Sequence, residues 1–254
     1  MGADRFPDNR LISPLAVVIP ALQEAKRLGL LLADLAAAPP GLIGECLVVD
    51  GGSHDGTAAL AQQVGATTLH SPANRGLQLH RGVEASAAPW LLLLHADARL
   101  PRGWGEAVIQ AIGRGAREPS RPTAWSFDLA VEGPGLALRL LEWAVACRCR
   151  WRQLPYGDQG LLLPRQLLQA AGGIRPLPLM EDLDLVLRLR QRATLGSLGL
   201  PLTVSGRRWQ RDGVLSTARR NAALRRAWRR GCSAESLAAQ YYGKVHLKGP
   251  TDQP

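Results

Sequence analysis

Four stretches of this chain place acids or a histidine where chemistry could be done. Glu24 lies just past the apolar run LAVVIP at 15–20, and Asp50 ends CLVVD at 46–50. His95-Ala96-Asp97 follows the leucines at 91–94, and Glu181-Asp182 opens MEDLDLVLRL. If the apolar runs are parallel strands, Glu24, Asp50 and Asp97 share one rim of a sheet. Carboxylates gathered there suit a hard divalent cation and the hydroxyls and base of a nucleotide. An imidazole at position 95 suits Mn²⁺ better than Mg²⁺, and its plain alternative is a strand-end histidine. Any one of these acids alone is equally a turn or cap residue. Glu181, Asp182 and Asp184 could do no more than complement a helix dipole, which would also lower the pKa of Asp182.

The elements that must position these groups can be read from the hydrophobic pattern. LAVVIP, CLVVD, ATTLH at 66–70 and WLLLLH at 90–95 read as buried strands. Between them lie helical patterns over Glu24–Ala38, stopped by Pro39-Pro40, over Thr57–Val64, and over about Arg75–Ala87. Strand–helix alternation with apolar strands predicts a parallel sheet covered on both faces, with the ligand beyond the carboxyl ends of the strands. Arg75 and Gln78 open a helix after a strand, where side chain and backbone N–H groups could meet a phosphate; the alternative is an ordinary surface helix start. Further on, TAWSFDLAV at 123–131 and QGLLL at 159–163 read as strands, and 136–150 and Glu181–Arg192 as helices. Two C-terminal helices follow, at about 215–230 and 234–242, with Gly231 between them and Ser233 as N-cap. The predicted organisation is one domain over 14–205, a basic helical extension over 206–243 packed on it, and flexible tails at 1–13 and 244–254.

Composition narrows the class. Hydrophobic residues are 46% of the 254 and charged residues 20%, which fits a folded chain with a full core and not a disordered one. No apolar run approaches the ~20 residues that span a bilayer. MGADRFPDNR does not read as a signal peptide. Cys46, Cys147, Cys149 and Cys232 form no C-x-x-C pair and read as reduced thiols of a cytoplasmic protein. The net charge of +10 is concentrated between Arg207 and Arg230. Such a patch attracts diphosphates, anionic lipid headgroups or nucleic acid, or is simply a solvated helix face.

IPALQEA, VVDGGSHDGT, LLLLHAD and MEDLDLVLRL stand in the order and spacing of family-2-type glycosyltransferases with the GT-A fold, and from about Pro14 to Tyr242 the chain resembles them. YGDQG at 156–160, PLMED at 178–182 and RRW at 207–209 resemble the bacterial subgroup labelled arsenosugar-biosynthesis-like glycosyltransferases. The resemblance implies an α/β fold of GT-A type, a mostly parallel sheet flanked by helices. It implies that Pro20, Glu24, Asp50 and Gly52 line the donor nucleotide, joined by Arg75 and Gln78, and that Asp97, with His95, holds Mg²⁺ or Mn²⁺ against the diphosphate. Asp182 would be the general base. Asp158, Gln159, Glu181, Arg208 and Trp209 would meet the acceptor, Trp209 either stacking on a sugar or packing against the extension. Two positions depart from the family pattern: His95 stands where the first acid of D-x-D belongs, and Gly51 where many relatives carry a second Asp.

These residues suit sugar transfer on chemical grounds too. Charge grows on the leaving diphosphate, where a cation stabilises it, and the acceptor hydroxyl needs a positioned carboxylate. The expected activity is metal-dependent, inverting transfer from a nucleotide sugar to a small or lipid-linked hydroxyl. A peripheral contact with the inner membrane surface through 207–230 or 136–151 is a further expectation. A nucleotidyltransferase would need a Gly-rich basic loop near strand one, where IPALQEAKR stands. A nucleic-acid-binding module would use the Arg-rich helix, but no nucleic-acid motif is present and no nucleic-acid partner is expected.

Overall fold

A computed structural model describes residues 14–243, apart from 119 and 121. The tails assigned to 1–13 and 244–254 lie outside the described residues. In chain order the elements of the first half are β1 (Leu15–Ala21), α1 (Ala25–Ala36), β2 (Ile43–Asp50), α2 (Thr57–Gln63), β3 (Thr67–His70), α3 (Arg75–Glu84), β4 (Trp90–Leu93) and α4 (Trp104–Arg117). The second half contributes β5 (Thr123–Val131), α5 (Leu136–Arg152), a 3-10 turn (Gly157–Gln159), β6 (Leu161–Pro164), α6 (Arg165–Ala170), α7 (Glu181–Leu189) and β7 (Thr194–Val204). It closes with α8 (Arg207–Asp212), α9 (Val214–Arg229) and α10 (Ala234–Tyr242).

The seven strands form one sheet in the order β3-β2-β1-β4-β6-β5-β7. β1 pairs in parallel with β2 and β4, β2 with β3, and β5 with β7; β6 runs antiparallel to both its neighbours. The predicted α/β sheet flanked by helices is what folds. β1 shows why its sequence is apolar throughout: successive side chains point to opposite faces, and both faces are covered. Leu15, Val17 and Ile19 join Leu28, Leu31, Leu32 and Leu35 of α1 in one buried cluster. Ala16 and Val18 join Leu79 and Val83 of α3 in the other. Among the described residues, no helix is long and apolar enough to cross a membrane.

Besides the 3-10 turn and the short α8, three elements went unread in the sequence. α4 carries Trp104, Val108 and Ala111 buried at helical spacing, a signal that was available. α6 is only six residues long. β7 is broken in sequence by Gly196, Gly199 and Pro201, which argue against a strand interior. The fold tolerates them because β7 is an edge strand and its pairing with β5 is shifted between Ser126 and Asp128.

The C-terminal helices pack on the start of α7. Leu224 of α9 and Leu237 and Ala238 of α10 bury against Leu179, Met180 and Leu183. The residues flanking Asp182 are therefore held by the extension.

Candidate active site

The carboxyl ends of β1 and β4 open into a cavity of about 250 Å³ lined by Pro20, Glu24, Arg75, Gln78, His95, Asp97, Arg207 and Arg208, among others. A second cavity of about 250 Å³ adjoins it and holds Asp158 and Asp182. Arg75, His95, Asp97, Arg207 and Arg208 line both, forming the wall between them.

Asp50, at the end of β2, is 2% exposed, and neither it nor Gly52 lines the first cavity. Its Oδ2 accepts from the N–H groups of Gly52 (3.1 Å) and Ser53 (2.9 Å), while its buried Oδ1 has no partner. This turn needs Gly52, whose φ of +91° falls in the left-handed region. Gly51 also has a steric reason. A Cβ there would meet Gln78 Nε2 at 3.2 Å, Ala73 Cα at 3.3 Å and Ala21 O at 3.4 Å. Gln78, expected to meet the donor, is instead largely committed to the sheet. It is buried, and its amide donates to the carbonyls of Ala21 (2.9 Å) and Val49 (2.8 Å), tying the ends of β1 and β2 together.

Glu24 precedes α1 without capping it through its side chain. Asp55 takes that task by accepting from Ala25 N–H at 3.0 Å, and Thr57 accepts from Glu24 N–H. The Thr57 hydroxyl holds the Asp55 carboxyl below its usual range. Glu24 is thereby free to accept hydrogen bonds from both terminal nitrogens of Arg207. Arg207 also stands 3.9 Å from Asp97 Oδ2. The guanidinium thus lies between two of the rim acids, so it is Arg207 of RRW that reaches these carboxylates, while Arg208 lines both cavities. RRW pointed to this segment, but spacing alone could not tell which arginine turns inward.

Arg75 opens α3, which is capped by Asn74 accepting from Leu77 N–H. Its Nε donates to Glu181 Oε1. Burial would lower its pKa; the charges of Glu181, Tyr242 and Asp182 outweigh that and keep it protonated. Glu181 is buried, and burial raises its carboxyl against the pull of Arg75. Expected near the acceptor, Glu181 serves here as the partner of Arg75.

Asp182 follows Met180, whose φ of +67° is strained for a non-glycine residue. Burial pushes the Asp182 carboxyl up; Arg75 and the N–H groups of Gly157 and Leu183 overcome it and hold it below the usual carboxylate range. Gly157 N–H donates to Oδ2 at 2.8 Å and Leu183 N–H to Oδ1 at 2.7 Å. A Cβ at Gly157 would come within 2.8 Å of His95 Nε2 and 3.3 Å of Asp182 Oδ2, so a larger residue would wedge into this junction. Burial, reinforced by Arg75, takes His95 down to about 4, and the ring is neutral at physiological pH.

Asp158 lines the second cavity, its pKa raised by burial and its Oδ1 unpartnered. Gln159 does not reach that cavity. It is 1% exposed, donates to Phe127 O at 3.0 Å, and accepts from Arg148 and Tyr156 N–H. Its role is to fix the turn that presents Asp158. Trp209 packs against the cluster of Leu129, Val131, Leu138, Val145 and Val204 while lining the second cavity. Arg208 lies over the Tyr241 ring at 4.9 Å.

Among the described residues, no three His, Cys, Asp or Glu side chains gather as a metal cluster. Asp97 and His95 supply two ligands at most. That set fits a cation completed by phosphate oxygens and water, as Mg²⁺ typically is, better than a caged structural ion.

Comparison with known proteins agrees with this architecture. Residues 16–118 match the family model "Glycosyl transferase family 2". Over 103 residues the chain is 34% identical to a protein of Mycobacterium tuberculosis described as an uncharacterized glycosyltransferase, covering 40% of this chain and 45% of that one. The chain thus spans less than half of that relative's length. Among solved structures, S. aureus TarS superposes with a TM-score of 0.57 at 14% identity, covering 76% of this chain and 60% of that one. Glucosyl-3-phosphoglycerate synthase from Mycobacterium tuberculosis, in complex with Mn²⁺, UDP and phosphoglyceric acid, gives 0.52 at 20% identity, covering 74% and 69%. The sequence match takes in the strand-end rim from Pro20 to Asp97 and stops short of Asp158, Asp182 and Arg208. The chain has the GT-A fold, and its first half, residues 16–118, matches glycosyl transferase family 2.

Proposed function

We propose that the protein is a glycosyltransferase that moves a sugar from a nucleotide-diphosphate donor to an acceptor hydroxyl, with a divalent cation and with inversion. The observation that carries this reading is the pair of adjoining cavities whose common wall bears His95, Asp97 and three arginines. The nucleotide occupies the cavity at the strand ends, against Pro20 and Glu24, and extends toward Asp50 and Gly52 at the neighbouring end of β2. The acceptor occupies the cavity holding Asp182 and Asp158. The bond between anomeric carbon and diphosphate oxygen then lies at the wall.

Arg75, Arg207 and Arg208 stand where negative charge develops on the leaving diphosphate. A cation held by Asp97, with His95 beside it, would supply further neutralisation there. Asp182 is ionised at neutral pH and fixed by Gly157 N–H, so it can take the acceptor proton as the hydroxyl attacks. A single displacement across the sugar inverts the anomeric centre. Residues 14–205 carry the acids of this chemistry, and 206–243 add Arg207 and Arg208 and close the acceptor side. The subgroup resembling arsenosugar-biosynthesis glycosyltransferases is part of the same proposal and rests on YGDQG, PLMED and RRW.

A membrane partner is supported by α5. Leu136 (74% exposed), Leu140, Trp143 and Trp151 (76% exposed) recur along one face. Exposed Arg150 and Arg152 flank this stripe, and α9 beside it exposes Arg226 and Arg229. The apolar stripe with a basic border matches an anionic bilayer surface.

A thermal-shift panel tests the donor assignment, using UDP, GDP, CDP and dTDP, each with Mn²⁺, Mg²⁺ or EDTA. A nucleotide at a hundred times its dissociation constant adds about 2.7 kcal/mol of stability. UDP with Mn²⁺, the pair bound by the synthase above, is the first combination to try. One nucleotide shifting the folded chain only with metal is the expected result; no shift from any of them contradicts the assignment.

A further inference from the structure

The second cavity contains more positive charge than sugar transfer requires. Arg148 and Arg225 converge on one ring, their guanidinium carbons 3.7 Å and 5.0 Å from the Tyr156 centroid. Neither forms an ion pair with any described residue, and Arg225 makes no hydrogen bond among them. Arg148 spends two donors, on Leu154 O and Gln159 Oε1. Arg225 is half-buried. Burial, then the like charge of Arg148, push its pKa down. A partly desolvated guanidinium with a like charge nearby is costly unless an anion arrives. Asp182 and Asp158, on the same cavity, attract Arg225 through space without forming an ion pair with it, and Asp97 lies toward Arg207. Asp182 is engaged with Gly157 and Leu183, and burial pushes Asp158 toward its neutral form.

Part of the cavity's wall is apolar. Leu141 and Val145 of α5 face Leu224 of α9 across it. Tyr156 stands one residue before Gly157, whose N–H holds the Asp182 carboxylate at 2.8 Å. An anion at Arg148 and Arg225 is therefore close enough to the base for one small molecule to span both.

We infer that the acceptor is itself an anion: a phosphate ester or carboxylate gripped by Arg148 and Arg225, with an apolar portion against Leu141, Val145 and Leu224. This rests on the glycosyl-transfer reading for its direction of attack. The anion site itself stands on the cavity. Arg225 lines the acceptor cavity and is absent from the lining of the donor cavity, so the two sites can be tested apart.

The probes are octyl phosphate, octanol and glycerol 3-phosphate, titrated calorimetrically into the full chain with the donor cavity first saturated by UDP and Mn²⁺. Octyl phosphate is expected to bind at least tenfold more tightly than octanol. Arg225→Gln should abolish that preference and Arg225→Lys restore part of it, with nucleotide affinity unchanged in both. Glycerol 3-phosphate binding as well as octyl phosphate would assign the site to a small water-soluble anion. A tenfold weaker response would assign it to a lipid phosphate. Octyl phosphate binding no better than octanol, or equally well to Arg225→Gln, overturns the inference. If no nucleotide binds the wild type, the transfer reading fails, and the same titration without nucleotide still decides the anion site through its dependence on Arg225.

Discussion

At the scale of single residues, each charged group at the wall has a job set by its partners. Asp182 keeps its carboxylate ionised because Arg75 and two N–H groups outweigh burial. As the proposed base it would be weak but held in one place, so its contribution would come from position. Asp182→Asn should bind donor normally and lose turnover by about 10²–10⁴-fold. Retained transfer would move the base elsewhere. Because its pKa lies below the usual ~3.9, the proton-acceptor form should persist as pH falls from 7 to 5, and no acid limb from this residue should appear in that range. Asp158 is the opposite case. Its raised pKa means that the folded state binds the proton more readily than the unfolded chain does. The folding penalty is thus full above the folded pKa and vanishes as pH falls below the unfolded value. Asp158→Asn should accordingly raise the melting temperature at pH 7.5 and lose that gain toward pH 4. Equal effects at both pH values would show that its charge is not the cause.

At the scale of elements, the sequence revealed the strand-end rim well and the cavity holding Asp158 and Asp182 poorly. β1, β2 and β4 are apolar because both faces of each are covered, so their polar end residues stood out as Glu24, Asp50 and Asp97. Gln78 lines the first cavity with its amide spent on the sheet, and Gln159 does not reach the second. What commits them is hydrogen bonding to distant backbone, Val49 O for one and Phe127 O for the other, which no local pattern encodes. Arg148 and Arg225 lie 77 residues apart in sequence, and only the packing of α9 beside α5 brings both to Tyr156. That packing depends on the contact of α9 and α10 with α7. Leu237 is fully buried there. Leu237→Ala should cost about 2–5 kcal/mol of stability in urea unfolding. A loss well under 1 kcal/mol would mean that α10 does not hold the start of α7.

At the scale of the whole molecule, the charge asymmetry and the α5 stripe describe one surface. The face of α5 opposite the stripe lines the acceptor cavity through Leu141, Val145 and Arg148. A chain seated on a bilayer by Trp143 and Trp151 would bring that cavity close to the lipid surface. In flotation with vesicles containing anionic lipid, the double variant Trp143→Gln/Trp151→Gln should lower bound protein at least tenfold. Unchanged binding would assign the stripe to another partner.

The division of labour across the wall is the central claim, and calorimetric titration of UDP with Mn²⁺ into three proteins tests it most directly. Wild type and Asp182→Asn should bind with the same affinity, EDTA should abolish binding to both, and Asp97→Ala should not bind while keeping its fold. Full affinity in Asp97→Ala, or lost affinity in Asp182→Asn, would contradict the placement of donor and base on opposite sides of His95 and Asp97.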